Sequence, residues 1–129
     1  MVPFELTLIE AVTALRNRQL GHQEYVQALL QQIDRLDHLN AWISRDPERL
    51  IQQAIALDQA STEQPDNRLL AGIPLALKDN IDTSDLPTSG GTRALLGSRP
   101  RRNATVVEQL LQSGGLIAGK TNLHELALG

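Results

Sequence analysis

Lys78 is the residue of this chain whose type and position best suit chemistry, because it ends a short apolar run, Gly72–Leu77. A run of this length, with Gly72 and Pro74 near its start, predicts a buried strand. A lysine serves as a base only where desolvation or a neighbouring cation leaves part of its amine neutral, and an apolar strand ending in a cleft supplies desolvation. Asp79 follows at once and would oppose this effect if it were close, but successive strand side chains point to opposite faces, so adjacency in sequence does not imply contact.

A second lysine lies in a segment whose letters match a phosphate-binding loop. Gly114 to Thr121 reads glycine, four residues, then Gly-Lys-Thr. A phosphate loop follows a strand and opens a helix, whereas here a helix is predicted before the segment and the intervening residues are apolar and strand-like. Nucleotide binding is therefore the least favoured alternative.

The histidines and acidic residues do not have the spacing of a metal site. His124 begins like a zinc-protease helix, but Leu128 occupies the place of the second ligand. His22 and His38 are predicted to be isolated at helix surfaces or ends, so we expect no metal ion and no cofactor. Three nearby aspartates lack the glycine and distal glutamate of a calcium loop and are predicted to be solvent-facing turn formers. They are Asp79, Asp82 and Asp85.

Composition narrows the class of protein. The 129 residues suit one domain, and a net charge of −3 gives no basic excess for a nucleic-acid partner. The chain has no cysteine, hence no disulfide or thiolate, which fits a reducing cytoplasm. Its beginning lacks the pattern of a signal peptide, and no apolar run approaches membrane-spanning length. We expect a soluble, cytoplasmic protein without a membrane partner.

Four helices are predicted from start signals and apolar periodicity. The first begins at a capping box formed by Thr7 and Glu10, Asp46 caps the third and Asn103 caps the fourth. Residues 61–67 form a polar, turn-rich link. The helices are expected to span 8 to about 17, 25–36, 47 to about 60 and 103–112.

Strands are predicted at 72–78 and 116–118, with a partly β-like segment at 39–43 in which Trp42 anchors the core. The order strand, helix, strand in the second half predicts an α/β fold, with the fourth helix crossing over between parallel strands. We expect a single domain, with a helical part at 1–65 and the start of an α/β core at 66–129.

Four segments of the chain, taken together, resemble the amidase signature family in order and spacing. The resemblance extends to the N-terminal helices, so it covers the whole chain. It also accounts for the Gly-Lys-Thr-Asn run in a setting that binds no phosphate. The segments are Gly72–Ile81, Pro87–Thr92, Ala104–Glu108 and Gly115–Ala127.

The resemblance implies a serine hydrolase with a Ser-cisSer-Lys triad, in a mixed sheet flanked by helices. One serine attacks the amide carbonyl, a second relays its proton, and a neutral lysine is the final base. By this resemblance Lys78 is the general base, and Lys120 matches the family's other lysine, which is not catalytic. The substrate would be a small carboxylic amide, hydrolysed to the acid and ammonia.

The chain departs from the family because the nucleophile and the cis-serine are absent from it. In the family both follow the segment that ends here at Ala127, and Ser89-Gly90-Gly91 matches a different segment. We therefore predict the N-terminal fragment of an amidase, inactive alone. A noncatalytic remnant or subunit docking on a complementary chain is one alternative. An amidotransferase subunit is another, although residues 120–127 look closer to arylacetamide-type amidases.

Overall fold

The structure is a computed structural model that describes residues 1–60 and 66–129. Most of the predicted polar link, residues 61–65, lies outside the described residues. No helix in the described part is long and apolar enough to cross a lipid bilayer. The helices are α1 (Leu8–Arg16), α2 (His22–Arg35), α3 (Pro47–Ala60) and α4 (Thr105–Gln112), and the strands are β1 (Trp42–Arg45), β2 (Pro74–Lys78) and β3 (Leu116–Thr121).

The sheet has the strand order β1-β3-β2 and is mixed. The central strand β3 runs parallel to β2 and antiparallel to β1. Because α4 lies between β2 and β3 in sequence, the predicted crossover between parallel strands is confirmed, as is the α/β class. Lys78 therefore stands at the end of an edge strand of this three-stranded sheet.

Two predicted helix starts are confirmed by their hydrogen bonds. The Thr7 N–H donates to the Glu10 carboxylate at 2.8 Å, and the Glu10 N–H donates to Thr7 Oγ1 at 3.4 Å, which completes the capping box. Asp46 Oδ1 accepts from the Arg49 N–H at 3.0 Å, at the start of α3. These side chains satisfy backbone donors that have no partner within the first helical turn.

The predicted cap of α4 is wrong. Ala104 holds the capping position, and Asn103 instead ties the helix to the preceding loop. Asn103 Oδ1 accepts from the Ser84 N–H at 2.7 Å, while its Nδ2 donates to Glu108 Oε1 at 2.7 Å. A capping preference cannot distinguish an asparagine that caps a helix from one that bridges two segments.

Helices α2 and α3 cover the sheet through an apolar cluster that they share with β3. Trp42 of β1 is half-buried and packs against this cluster, as predicted. Helix α1 forms a second cluster with residues near the start of β2. The first cluster contains Val26, Leu30, Leu50, Ala54, Leu116 and Ala118.

Helix α2 is capped by a residue of another helix. The two carboxylate oxygens of Asp58 accept from the backbone N–H groups of His22 and Gln23 at 2.8 and 2.9 Å. Asp58 also contacts His22 Nδ1 at 2.8 Å. His22 is therefore buried and partnered, and its predicted isolation is wrong, because its partner lies 36 residues away in sequence. Burial acts to raise the pKa of Asp58, but the hydrogen bonds and charge of this site outweigh burial and lower it.

We expect Asp58→Asn to destabilise the fold by about 1 kcal/mol at neutral pH, because asparagine keeps one oxygen acceptor but presents an NH2 group to the other backbone N–H donor. The folded pKa of Asp58 lies below its ordinary value of 3.8. Its contribution is thus complete above that value and is lost as the pH falls through the folded pKa. Urea unfolding at pH 7, 5 and 3 should show the difference from the wild type shrinking toward pH 3.

The control for this pH dependence is Asp37→Asn, which removes an exposed carboxylate 3.9 Å from Arg45. Exposed pairs of this kind contribute little to stability. A stability difference between Asp58→Asn and the wild type that stays constant over this pH range would contradict the expectation.

Candidate functional site

Lys78 is presented to solvent at the end of β2. Leu77 before it is buried, whereas the Lys78 side chain is exposed. Its backbone is opposite Thr121 of β3 in the parallel register. Within residues 1–60 and 66–129, the Lys78 amine has no hydrogen-bond or ion-pair partner. The structure therefore offers a free amine at a sheet edge.

Asp79 points to the other side of the strand, and its carboxylate is inaccessible to solvent. Its exposed fraction is 0%, so the prediction that it is a solvent-facing turn former is wrong. Lys78 is exposed and no hydrogen bond or ion pair joins it to Asp79, which agrees with the alternation of strand side chains. An ionised carboxylate without solvent requires a partner, and that partner comes from β3.

Lys120 is the partner of Asp79, and it too has an exposed fraction of 0%. Its Nζ lies 3.3 Å from Asp79 Oδ1. It also donates to the Pro87 carbonyl oxygen at 3.2 Å and to Thr88 Oγ1 at 2.9 Å. Burial lowers the pKa of Lys120, and Asp79 acts in the opposite direction. The ammonium is thus surrounded by three oxygens, all from the chain itself.

The other oxygen of Asp79 holds the segment that follows Pro87. Asp79 Oδ2 accepts from the Ser89 N–H at 3.0 Å and also from the Ser89 hydroxyl. The Asp79 carbonyl oxygen accepts from the Gly90 N–H at 2.9 Å. Ser89 is 2% exposed and its hydroxyl donates to a carboxylate, so it is not placed to attack a substrate.

The phosphate-loop interpretation of the Gly-Lys-Thr segment does not hold in the structure. Lys120 and Thr121 are the last residues of β3, and α4 precedes that strand. A phosphate loop would instead join the end of a strand to the start of a helix. Among the residues described, no group of three or more histidine, cysteine, aspartate or glutamate side chains is arranged to hold a metal ion.

Amine labelling can test the opposite exposure of the two lysines. The chain has only Lys78 and Lys120, so each modification site can be assigned by mass spectrometry. We expect an acetylating N-hydroxysuccinimide ester to modify the N-terminus and Lys78 of the folded chain and to spare Lys120. Unfolding in urea before labelling is the control, and it should make both lysines react. Equal labelling of both lysines in the folded chain would contradict the burial of Lys120.

Comparison with known proteins gives a match to a family model described as Amidase, over residues 24–129. A mandelamide hydrolase of Pseudomonas putida is 40% identical over 98% of this chain and 25% of that protein. A glutamyl-tRNA(Gln) amidotransferase subunit of Natranaerobius thermophilus is 36% identical over 97% of this chain and 26% of that protein.

A solved structure of native peptide amidase from Stenotrophomonas maltophilia matches with a TM-score of 0.85 and 34% identity. That match covers 94% of this chain and 25% of the peptide amidase. A bacterial aryl acylamidase, described as an amidase signature enzyme, has a TM-score of 0.86 and 25% identity, over 94% of this chain and 26% of that one. The chain therefore spans about a quarter of the length of the relatives it matches.

Proposed function

The chain belongs to the amidase signature family, and we propose that it is the N-terminal portion of an amidase that hydrolyses a carboxylic amide to the acid and ammonia. In this proposal Lys78 is the general base. The observation that carries it is the free, exposed amine of Lys78 at the end of edge strand β2, at the position that the sequence resemblance assigns to the family's catalytic lysine. The part of the fold that packs against the open side of the strand would supply the desolvation that leaves part of this amine neutral.

The neutral amine of Lys78 would accept the proton of the serine nucleophile through the second serine. The serine oxygen then bonds to the amide carbonyl carbon, and the carbon–nitrogen bond breaks. The leaving nitrogen takes up the proton and departs as ammonia. Water finally cleaves the acyl-serine ester: the same lysine accepts the proton of the water and returns it through the second serine to the leaving serine oxygen, which releases the acid.

Both serines of this mechanism would come from the part of the fold that the chain does not contain. Ser89 does not replace them, because its hydroxyl is buried and bonded to Asp79. We therefore propose that the chain alone does not hydrolyse amides. The two serines would be supplied by the part of the fold equivalent to the remaining three quarters of the relatives.

An arylacetamide-type amide is the substrate class we favour. The mandelamide hydrolase of Pseudomonas putida, at 40% identity, supports this choice. A second candidate is the equivalent portion of an amidotransferase subunit. Several relatives that are glutamyl-tRNA(Gln) amidotransferase subunits support it, and one of them, from Chromohalobacter salexigens, is 42% identical. Ammonia release from mandelamide favours the first, and amide transfer to glutamyl-tRNA favours the second.

Reconstitution tests the proposal. The tagged chain would be coexpressed with the part of the Pseudomonas putida mandelamide hydrolase that lies outside its matching quarter, and ammonia release from mandelamide would be measured. We expect activity from the purified pair and none from either chain alone. The matching quarter of the same mandelamide hydrolase serves as the positive control.

Two results would overturn the proposal. The first is a copurified pair that remains inactive while the positive control works, which would leave only a noncatalytic docking role. The second is amide hydrolysis by the isolated chain that survives repurification and is lost in Lys78→Ala, because the chain would then act without the two serines.

A further inference from the structure

Asp79, the residue that follows the proposed base, forms a buried pair with Lys120, and the proposed reaction does not use this pair. Both residues have an exposed fraction of 0%, and their charged atoms are 3.3 Å apart. Removing two charges from water is costly, and a buried ion pair often adds no stability over apolar residues of similar size. Stability alone therefore does not account for this buried ion pair, which points to a second role.

We propose that Lys120 and Asp79 are positioning residues for Lys78, which fix the end of β2 and hold the Asp79 carboxylate on the face away from the Lys78 amine. This inference rests on the proposed function. It concerns residues that do not touch substrate and act only through the backbone and charge next to the base.

The contacts of Asp79 support the positional half of this inference. Its N–H donates to the Thr121 carbonyl oxygen at 3.0 Å, and its carbonyl oxygen accepts from the Gly90 N–H at 2.9 Å. Its carboxylate is held by the charge of Lys120 and by hydrogen bonds from Ser89. The backbone and the carboxylate of the residue after Lys78 are thus both engaged, so the backbone that carries Lys78 is held from both sides.

Electrostatics support the second part of the proposal, that the Asp79 carboxylate is held away from the Lys78 amine. A free carboxylate beside a lysine favours the charged amine, which cannot accept a proton. Asp79 is adjacent to Lys78 in sequence, but Lys120 balances its charge inside the protein. The ion pair is neutral as a whole, so it adds no net charge near the Lys78 amine.

Hydrogen exchange of the isolated chain tests the positioning without any need for activity. The double variant Asp79→Asn with Lys120→Met avoids an unpaired buried charge. We expect the amides of residue 79, Ser89 and Gly90 to lose about tenfold to a hundredfold in protection, the range for a lost charge-assisted hydrogen bond. The amides of Tyr25 and Leu50, which donate to the carbonyl oxygens of Gly21 and Asp46 at the starts of α2 and α3, serve as references and should keep their protection.

A merely structural pair would instead lower the protection of all these amides by the same factor, and that result would overturn the inference. Unchanged protection near residue 79 would also overturn it. If the double variant does not fold, Thr88→Val replaces it, because this change removes one acceptor of Lys120 and leaves both charges in place. The same local loss is then expected.

Kinetics of the reconstituted enzyme provide the second readout. Small displacements of a reacting group cost up to about a hundredfold in rate, so we expect the double variant to lower kcat at least about tenfold with KM unchanged. An unchanged kcat in an enzyme whose wild type is active would overturn this inference alone. An inactive wild-type reconstitution beside a working positive control would overturn the proposed function instead.

Discussion

Lys78→Met is expected to lower the kcat of the reconstituted amidase by about 10²- to 10⁴-fold, the range that general acid–base groups contribute. Methionine keeps the length and the apolar stem of the side chain but cannot accept a proton. The Lys78 side chain is exposed in the isolated chain, so the variant should fold like the wild type. The measurement is the rate of ammonia release at saturating mandelamide, with copurification showing that the pair still forms.

Lys78→Arg separates a base from a mere positive charge. A guanidinium is not deprotonated in proteins, so arginine retains the charge and loses the basic function. We expect this variant to be as impaired as Lys78→Met. Arg101→Met, which removes an exposed cation from a loop, is the matched control and should leave kcat unchanged. Substantial activity of Lys78→Arg would contradict the role of Lys78 as a base.

The parts of the fold that could be predicted are those set by local physical rules. The capping box at Thr7, the aspartate cap at Asp46 and the apolar periodicity of α2 and α3 each depend on residues within about four positions of one another. The position of Lys78 followed equally from a short apolar run and the alternation of strand side chains. Interactions between residues close in sequence therefore predict most helix and strand positions, and they predict that Lys78 ends a strand.

The missed parts depend on residues that are distant in sequence. The partner of His22 is Asp58 on another helix, and the partner of Asp79 is Lys120 on another strand. Neither pair has a spacing that a sequence pattern could reveal. One signal was present, since Lys120 follows Ala118 by two positions in an apolar strand, and strict alternation would have placed it on the core face.

A β-bulge interrupts the simple alternation of side chains along β3. The register between β2 and β3 shifts where Leu75 is opposite Ile117 and Ala76 is opposite Gly119, so β3 carries one extra residue. A bulge of this kind changes which face the following side chains occupy. Gly119 also lies against β1, since a Cβ atom there would be 2.7 Å from the Ser44 carbonyl oxygen. Glycine is required at this crossing.

Lys120→Met alone is expected to destabilise the isolated chain by about 3–5 kcal/mol, because it leaves the buried Asp79 carboxylate without its counter-charge. A small domain has about 5–15 kcal/mol in total, so a large fraction of the variant should be unfolded or easily unfolded. Urea unfolding followed by circular dichroism measures the difference. Lys78→Met, which removes the exposed lysine, is the matched control and should change stability by no more than about 0.5 kcal/mol.

Adding Asp79→Asn to Lys120→Met should recover most of the lost stability, because the buried charge is then removed as well.

The pH dependence of stability gives an independent check. Burial lowers the pKa of Lys120 in the folded chain below its ordinary value of 10.5. At any pH between these two pKa values, the unfolded chain therefore binds more protons than the folded chain. Wild-type stability should therefore gain from Lys120 as the pH rises through that interval, and the double variant should lack this gain. If Lys120→Met alone were as stable as the wild type, Asp79 would not need Lys120 as its counter-charge.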